Sequence, residues 1–568
     1  MSTLDSRAEI SEDMSRFKFE ASTPLEHVSL LNSGPTTKEQ LKVYCKPTYR
    51  MRRLKNKGAI MVLIWNYLIT SVLHFSTKKY ADHGILFNVQ LVTGGLTLPI
   101  AGWLADVYFG RYKVIRWSMW IMWITTVLAI ASSIAAHFVH SYNKVNSYTI
   151  EALMIIMIVG LGGFQANAIL FGIDQLHDAS TNEITSFISW FVWSYYGSKV
   201  VIDVVLECTQ KEYRLTGTLV ICTHLSIALS SMFLFKHWLV KEPVTQNPFK
   251  LVYKVIKYAI NNKYPRYRSA FTYCEDDLPS RIDFGKTKYG GPFTTEQVED
   301  VKTFLRMVPI ILAGSILLGG TIAVFTLRVK IFDQLISSHG VTAISHHNCY
   351  SEGSFKYIFI YSGAIAITLH ELFFHPVFHR CLAKVSSHRK FLFGLLLHTA
   401  TIITLMLLEI VARHSYLENT NSNNSITIHC VYYETHGTLS SSLDYRWMAI
   451  PDIIYSISIA ALGIGAIEFI VAQTPYSMRG LIAGTAYGMF ILSAALGIAI
   501  TIPFTKRLPV WGTGIISCGF WHALLLLVIE VTMGITLTVI MKWYKKRKRE
   551  DVLPNEHIFA ERYYAREN

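Results

Sequence analysis

Glu151-Ala152-Leu153-Met154-Ile155-Ile156-Met157-Ile158-Val159-Gly160-Leu161-Gly162-Gly163-Phe164-Gln165-Ala166-Asn167-Ala168-Ile169-Leu170-Phe171 holds one ionisable residue, at its first position. A helix needs about 20 apolar residues to cross a hydrocarbon core about 30 Å thick. The run meets that requirement and lacks the polar–apolar alternation of a barrel strand. Inside lipid only helices and closed barrels satisfy their backbone polar groups. The stretch therefore reads as a membrane-spanning helix.

Similar blocks recur on both sides of it. The expected spans are 58–75, 86–105, 114–136, 151–171, 184–206, 216–239, 304–327, 355–378, 391–412, 448–472, 481–504 and 515–543. The chain has 568 residues, of which 51% are hydrophobic and 16% charged, against about 25% charged in soluble domains. The fold class is an all-α membrane protein with about twelve transmembrane helices in two halves. The polar N-terminal segment 1–57 has no signal peptide, and the first span is expected to be retained. The first half covers 58–239, a basic linker 240–303, the second half 304–543 and a basic tail 544–568. Within the linker, 244–261 has spaced apolar residues among lysines. It reads equally as an amphipathic surface helix or a solvated connector.

Net charge is +14, but the cations are placed for topology. Arg50, Arg52, Arg53, Lys55 and Lys57 precede the first span; Arg111, Lys113 and Arg116 follow the second. Lys250, Lys254, Lys257, Lys263, Arg266 and Arg268 lie in the linker. Arg380, Lys384, Arg389 and Lys390 follow the eighth span, and Lys545 to Arg549 form the tail. With an even number of spans all fall on one side, the cytoplasm, together with both termini. The single sequon, Asn423-Asn424-Ser425, falls on the opposite side, where a glycan at Asn423 is expected. Cys349 and Cys430 share that oxidising face and could pair or stay free thiols. No basic groove with interleaved aromatics occurs in a soluble segment, so no nucleic-acid partner is expected. The expected partners are the lipid bilayer and a small organic solute.

Three stretches carry a resemblance. The first is Gly102-Trp103-Leu104-Ala105-Asp106-Val107-Tyr108-Phe109-Gly110-Arg111-Tyr112. The second runs from Gly160-Leu161-Gly162-Gly163-Phe164-Gln165-Ala166-Asn167 through Asp174-Gln175 to Trp190-Phe191-Val192-Trp193-Ser194-Tyr195-Tyr196-Gly197-Ser198. The third is Glu468-Phe469-Ile470-Val471-Ala472-Gln473-Thr474-Pro475-Tyr476-Ser477-Met478-Arg479-Gly480. Together they resemble the peptide-transporter, or proton-dependent oligopeptide transporter, family of the major facilitator superfamily. The resemblance implies a two-half bundle around a midplane site and secondary transport by alternating access. It implies a peptide-like or other solute, with a proton gradient as the energy source and no cofactor. Asp106, Gly110, Arg111, Asp174, Gln175, Glu468, Gln473, Pro475 and Arg479 are the gating and structural positions it points to.

Three positions depart from the family's charged pattern. The acidic motif of the first helix is replaced by Asn66-Tyr67-Leu68-Ile69-Thr70-Ser71, the Lys of the fourth helix by Gln165, and a Glu of the tenth helix by Ile459. Intramembrane charges are costly and functional, so their absence makes peptide specificity and standard proton coupling doubtful. Asn66, Tyr67, Thr70, Gln165, Asn167, Trp193, Tyr196, Glu371 and Ile459 are candidate cavity positions, with Tyr195 and Tyr487 as further aromatic ones.

Other polar residues read as structural. His74, Asp203 and Glu409 are expected near the interfaces. His370-Glu371-Leu372-Phe373-Phe374-His375 is no metal helix, because histidines five apart diverge by about 140°. Glu371 is better read as a structural partner. Cysteines number 8, with no CxxC pair. Enzyme function is not expected, for want of a phosphate loop, metal pair or nucleophile elbow. A transporter fold acting as a sensor or scaffold is the alternative the neutral positions leave open.

Overall fold

The computed structural model describes residues 56–80, 84–138, 143–176, 179, 181–208, 213–244, 247–262, 280–338, 358–374, 387–419, 443, 445–505 and 518–544. The first half contains α1 (Lys57–Tyr80), α2 (Gly84–Leu104), α3 (Arg111–Phe138), α4 (Asn143–Asp174), α5 (Thr181–Cys208) and α6 (Tyr213–Leu234). The linker holds α7 (Pro248–Asn261). The second half contains α8 (Thr295–Ser338), α9 (Ile358–Leu369), α10 (Ser387–Asn419), α11 (Ala449–Gln473), α12 (Arg479–Thr505) and α13 (Cys518–Trp543). Among the described residues no β-strand forms beyond one isolated bridge, Lys286 to Phe293.

Among the described residues eight helices, α2, α3, α4, α8, α10, α11, α12 and α13, are long and apolar enough to cross a membrane. Helices α1, α6 and α9 carry shorter apolar stretches. Over its described residues helix α5 belongs to neither group: Ser186, Ser189, Ser194 and Ser198 run along it, and all four are buried. Serines turned inward let backbones approach and hydrogen-bond between helices, so low apolarity here marks an interior helix.

Helix α4 is central, 67% buried over its apolar window, whereas α13 is peripheral at 22%. Around α4 the first half packs Trp65, Phe164, Phe171 and Phe187, with Trp65 and Phe171 stacked at 6.5 Å. The second half has two clusters, one around Val298, Met307 and Ile482 and one around Leu327, Ile402 and Leu526. A smaller cluster joins the halves: Tyr196 of α5 with Ile360 and Ile367 of α9 and Ala460 of α11.

Several helices differ in extent from their expected spans. Helix α2 continues as a π turn, Ala105–Phe109, before Gly110 reverses the chain at φ 81°. Only glycine takes that conformation without steric cost. Helix α6 ends at Leu234 and gives way to a 3-10 turn, Lys236–Trp238, short of the expected 239. Helix α8 begins at Thr295, well before the expected 304. Thr294 and Gln297 exchange side-chain bonds to each other's backbone N–H, a capping box that starts the helix in polar sequence. Within the expected span 355–378, the described residues are α-helical from Ile358 to Leu369 and then turn π over His370–Phe374. Asn247 caps α7 through Phe249 and Lys250, with Pro248 at the first turn, so 244–261 is helical from Pro248 onward.

Candidate functional site

The site lies where α1, α4 and α5 meet. Asn66 of α1 is buried and donates from Nδ2 to Ser194 Oγ at 2.5 Å and to the Phe191 carbonyl at 3.1 Å, both on α5. Its Oδ1 accepts Gln165 Nε2 of α4 at 3.5 Å. One turn along α1, Thr70 Oγ1 and Ser198 Oγ are 2.8 Å apart. Ser71 Oγ lies 2.7 Å from His224 Nδ1 on α6. Three helices, α1, α4 and α5, are thus stitched by neutral amides and hydroxyls, and the imidazole of His224 ties in α6. Neutral hydrogen bonds can be exchanged for bonds to a solute without leaving an unpaired charge in lipid.

Aromatic residues border this cluster. Tyr67 stacks on Trp193 at 6.4 Å, and Trp193 Nε1 donates to Thr368 Oγ1 of α9 at 3.0 Å. That bond spans the two halves. Gly363 of α9 lies against the Tyr196 ring, where an added Cβ would sit 2.7 Å from Cε1. Tyr195 and Tyr196 meet edge to face at 5.5 Å.

At one end of the bundle a carboxylate of the turn after α2 joins the first half to α12. Asp106 Oδ2 accepts the Gly480 and Leu481 N–H groups at the start of α12, at 2.7 and 3.1 Å. Arg111 bonds Asp106 at 3.1 Å and Asp174 at 2.5 Å. A carboxylate at a helix N-terminus meets both unsatisfied donors and the positive end of the dipole. Above this point α2 and α12 lie backbone to backbone: a Cβ on Gly102 would be 2.1 Å from the Gly480 carbonyl, and one on Gly484 2.5 Å from that of Leu98. Gln175 clamps the exit of α6, donating to the Val240 carbonyl at 3.0 Å and accepting its N–H at 2.8 Å, and its own carbonyl accepts Asn56 Nδ2.

Glu468 accepts Lys390 Nζ at 2.7 and 2.9 Å, joining α11 to α10. Gln473 Oε1 accepts the Tyr544 hydroxyl at 3.1 Å. Pro475 follows α11 and Arg479 opens α12. In the linker Asp283 receives Lys302 Nζ at 2.5 Å and Lys286 Nζ at 2.7 Å, with Ser280 Oγ at 2.7 Å. Burial by itself would raise the Asp283 carboxyl; the Lys286, Lys302 and Ser280 donors outweigh it and hold the group far below the usual carboxylate range.

Some expected positions stand apart from the cluster. Asn167 is buried, but its Nδ2 donates to the Gly163 carbonyl of its own helix and its Oδ1 has no protein partner. Ile459 packs against the second-half core. Glu371 accepts Ser186 Oγ at 2.7 Å and lies 3.2 Å from His370 Nδ1, tying α5 to the π turn after α9. The Tyr487 hydroxyl is buried without a protein partner. Glu409 is buried within α10, where an acid needs neighbouring polar groups to hold it. The side chains of His74 and Asp203, as well as Cys349, Cys430, His375 and Asn423, lie outside the described residues.

Two buried pairs have no counterpart in the sequence reading. Arg328 of α8 grips Asp452 of α11 at 2.5 and 2.7 Å. His398 Nδ1 of α10 lies 2.9 Å from Glu530 Oε1 of α13. A charged residue inside an apolar run was the available signal, but it does not name the partner.

Comparison with known proteins bears on this arrangement. The sequence model of the POT family matches residues 112–510. A human protein, solute carrier family 15 member 5, is 20% identical over 257 residues; the match spans 43% of this chain and 44% of that protein. Among solved structures, the POT family transporter PepTSo superposes with a TM-score of 0.55 at 12% identity, covering 87% of this chain and 99% of that one. An auto-inhibited POT family peptide transporter gives 0.52 at 11% identity, covering 87% and 98%. A proton-dependent oligopeptide (POT) family transporter gives 0.50 at 12%, covering 84% and 98%.

Proposed function

The chain belongs to the POT family, and from that premise we propose that it is a secondary transporter moving a small organic solute by alternating access. The observation that carries the reading is the bond from Asp106 to the α12 N-terminus. It joins the halves at one end through polar contacts that water can replace, as a reversible gate requires. Asp106, Gly110, Arg111, Asp174, Gln175, Glu468, Gln473, Pro475 and Arg479 are the proposed gating and structural set. Asn66, Thr70, Gln165, Tyr67, Trp193 and Tyr196 are the proposed solute-facing set.

The proposed layout places both termini and the basic linker in the cytoplasm, the Asn423 glycan on the opposite face, and the protein in the plasma membrane. A proton gradient is the proposed energy source. Asn66, Gln165 and Ile459 cannot titrate, so the group that carries the proton must lie elsewhere.

The test is uptake into liposomes under an inward acid gradient, with a panel of di- and tripeptides beside uncharged organic solutes. At least one solute should accumulate above equilibrium; failure of every solute in both gradient and exchange modes would refute transport. A sensor without flux is the second reading, supported by the neutral cluster around Asn66. It predicts solute binding to purified protein with no exchange in vesicles.

A further inference from the structure

The pair of His398 and Glu530 is placed unlike an ordinary staple. His398 has no exposed surface and Glu530 is 3% exposed. Glu530 sits at the midpoint of α13, and His398 about 16 Å along α10 from its first residue. His398 Nδ1 meets Glu530 Oε1 at 2.9 Å, while His398 Nε2 is buried with no hydrogen-bond partner in the protein. The other carboxylate oxygen faces Gly320 of α8, where even an added Cβ would stay 3.8 Å away. The Tyr455 ring of α11 lies 6.0 Å from the imidazole and donates its hydroxyl to the Thr321 carbonyl of α8. Four helices of the second half therefore meet at the pair.

We propose that His398 and Glu530 form a proton-binding site, and that loading and unloading it couples the proton gradient to transport. The coupling role rests on the transporter reading above; the proton site itself does not. A neutral imidazole beside a carboxylate carries one negative charge. Uptake of one proton brings the pair to zero, as imidazolium with carboxylate or imidazole with carboxylic acid. Only an N–H or O–H bond forms. A net charge sealed among helices in lipid is costly, so the sealed arrangement holds the proton, and release requires water to reach the pair. Nε2 is the atom left for that water.

Among the described residues, Tyr455 on α11 faces the imidazole and is itself within electrostatic reach of Arg328 on α8 and Asp452 on α11, while His522 is buried further along α13. Arg328 and Asp452 neutralise each other. On its far side Tyr455 is within electrostatic reach of Tyr195 and Tyr196 of α5, which belong to the seam between the halves. A change of charge at His398 is thus one aromatic ring away from the moving interface.

The test uses the full chain in phosphatidylcholine liposomes and infrared difference spectra recorded while pH is stepped across the histidine range, about 8 to 5. A band of the pair, either the protonated carboxyl or the imidazolium with its carboxylate, should titrate with one proton, lose its carboxyl component in Glu530→Gln and shift along the pH axis in His398→Gln. In the same vesicles, with the dipeptide panel as probe, Glu530→Gln should keep exchange and lose at least tenfold of gradient-driven accumulation. A Glu530→Gln spectrum identical to wild type overturns the proposal, as does a Glu530→Gln protein that accumulates probe like wild type with the same pH profile. Should Glu530→Gln fail to fold, an unshifted titration in His398→Gln overturns it. Wild-type vesicles that move no probe while the band titrates would defeat the transporter reading and with it the coupling role, but support the proton site. Gradient-driven wild-type flux without the band would do the opposite.

Discussion

Asp106 Oδ2 holds the Gly480 N–H at 2.7 Å, so the π turn after α2 caps the first turn of α12 across 374 residues of chain. Charge-assisted bonds of this kind contribute about 1.5–3 kcal/mol each. Replacing Asp106 with Asn keeps the shape and removes the charge. The facing ends of α2 and α12 should then separate in at least about tenfold more molecules. Spin labels on those two ends, read by pulsed dipolar spectroscopy, should show a longer-distance population. An unchanged distance distribution would remove Asp106 from the gate.

The contact between α2 and α12 depends on the absence of side chains. Gly102→Ala would place a methyl group 2.1 Å from the Gly480 carbonyl, and the helices must part to hold it. Overpacking typically costs about 1–3 kcal/mol. Gly463→Ala on α11 is the control, because nothing lies within 4 Å of its Cβ position. Thermal unfolding in detergent should fall for the first and stay level or rise for the second. Equal behaviour of the two would contradict the seam.

Arg328 and Asp452 are both almost fully inaccessible, so neither can be lost alone. Arg328→Met should cost about 3–5 kcal/mol by leaving Asp452 charged and unpaired, while Arg328→Met with Asp452→Leu should recover most of it. The readout is the same unfolding assay, where additive losses would argue against a direct pair.

The linker offers a pH prediction. Asp283 is held below its unfolded value by Lys286 and Lys302 once burial is overcome, so its contribution to stability is present above the usual carboxylate range. It is lost only as pH falls below that range, through the depressed folded value. Proteolysis of the linker should therefore stay slow at mildly acidic pH, and Asp283→Asn should abolish the protection at neutral pH. Linker cleavage that rises through the ordinary carboxylate range in the wild type would count against it.

Helix positions are legible in the sequence because each span must stay apolar for about 20 residues, whatever its neighbours do. The start of α8 is hidden because its first turns are polar and rest on the Thr294–Gln297 cap. The two π turns leave no apolar signature at all. Within the site, Asn66, Thr70 and Gln165 are visible as polar residues in apolar runs. Ser194 and Ser198 are harder to read, since serine on an aromatic helix equally signals close packing. Arg328 with Asp452, and His398 with Glu530, lie 124 and 132 residues apart, and pairing at that distance is a property of the fold.

The grip of Gln175 on Val240, with Asn56 bound to the Gln175 carbonyl, fastens the entrance and exit of the first half to a single residue. That half is thereby a closed ring of chain, its two ends tied off before the linker begins. Coexpressed as separate polypeptides cut within the linker, the halves should still find each other and reassemble. A Gln175→Ala fragment, its ring undone, should be degraded before it meets its mate.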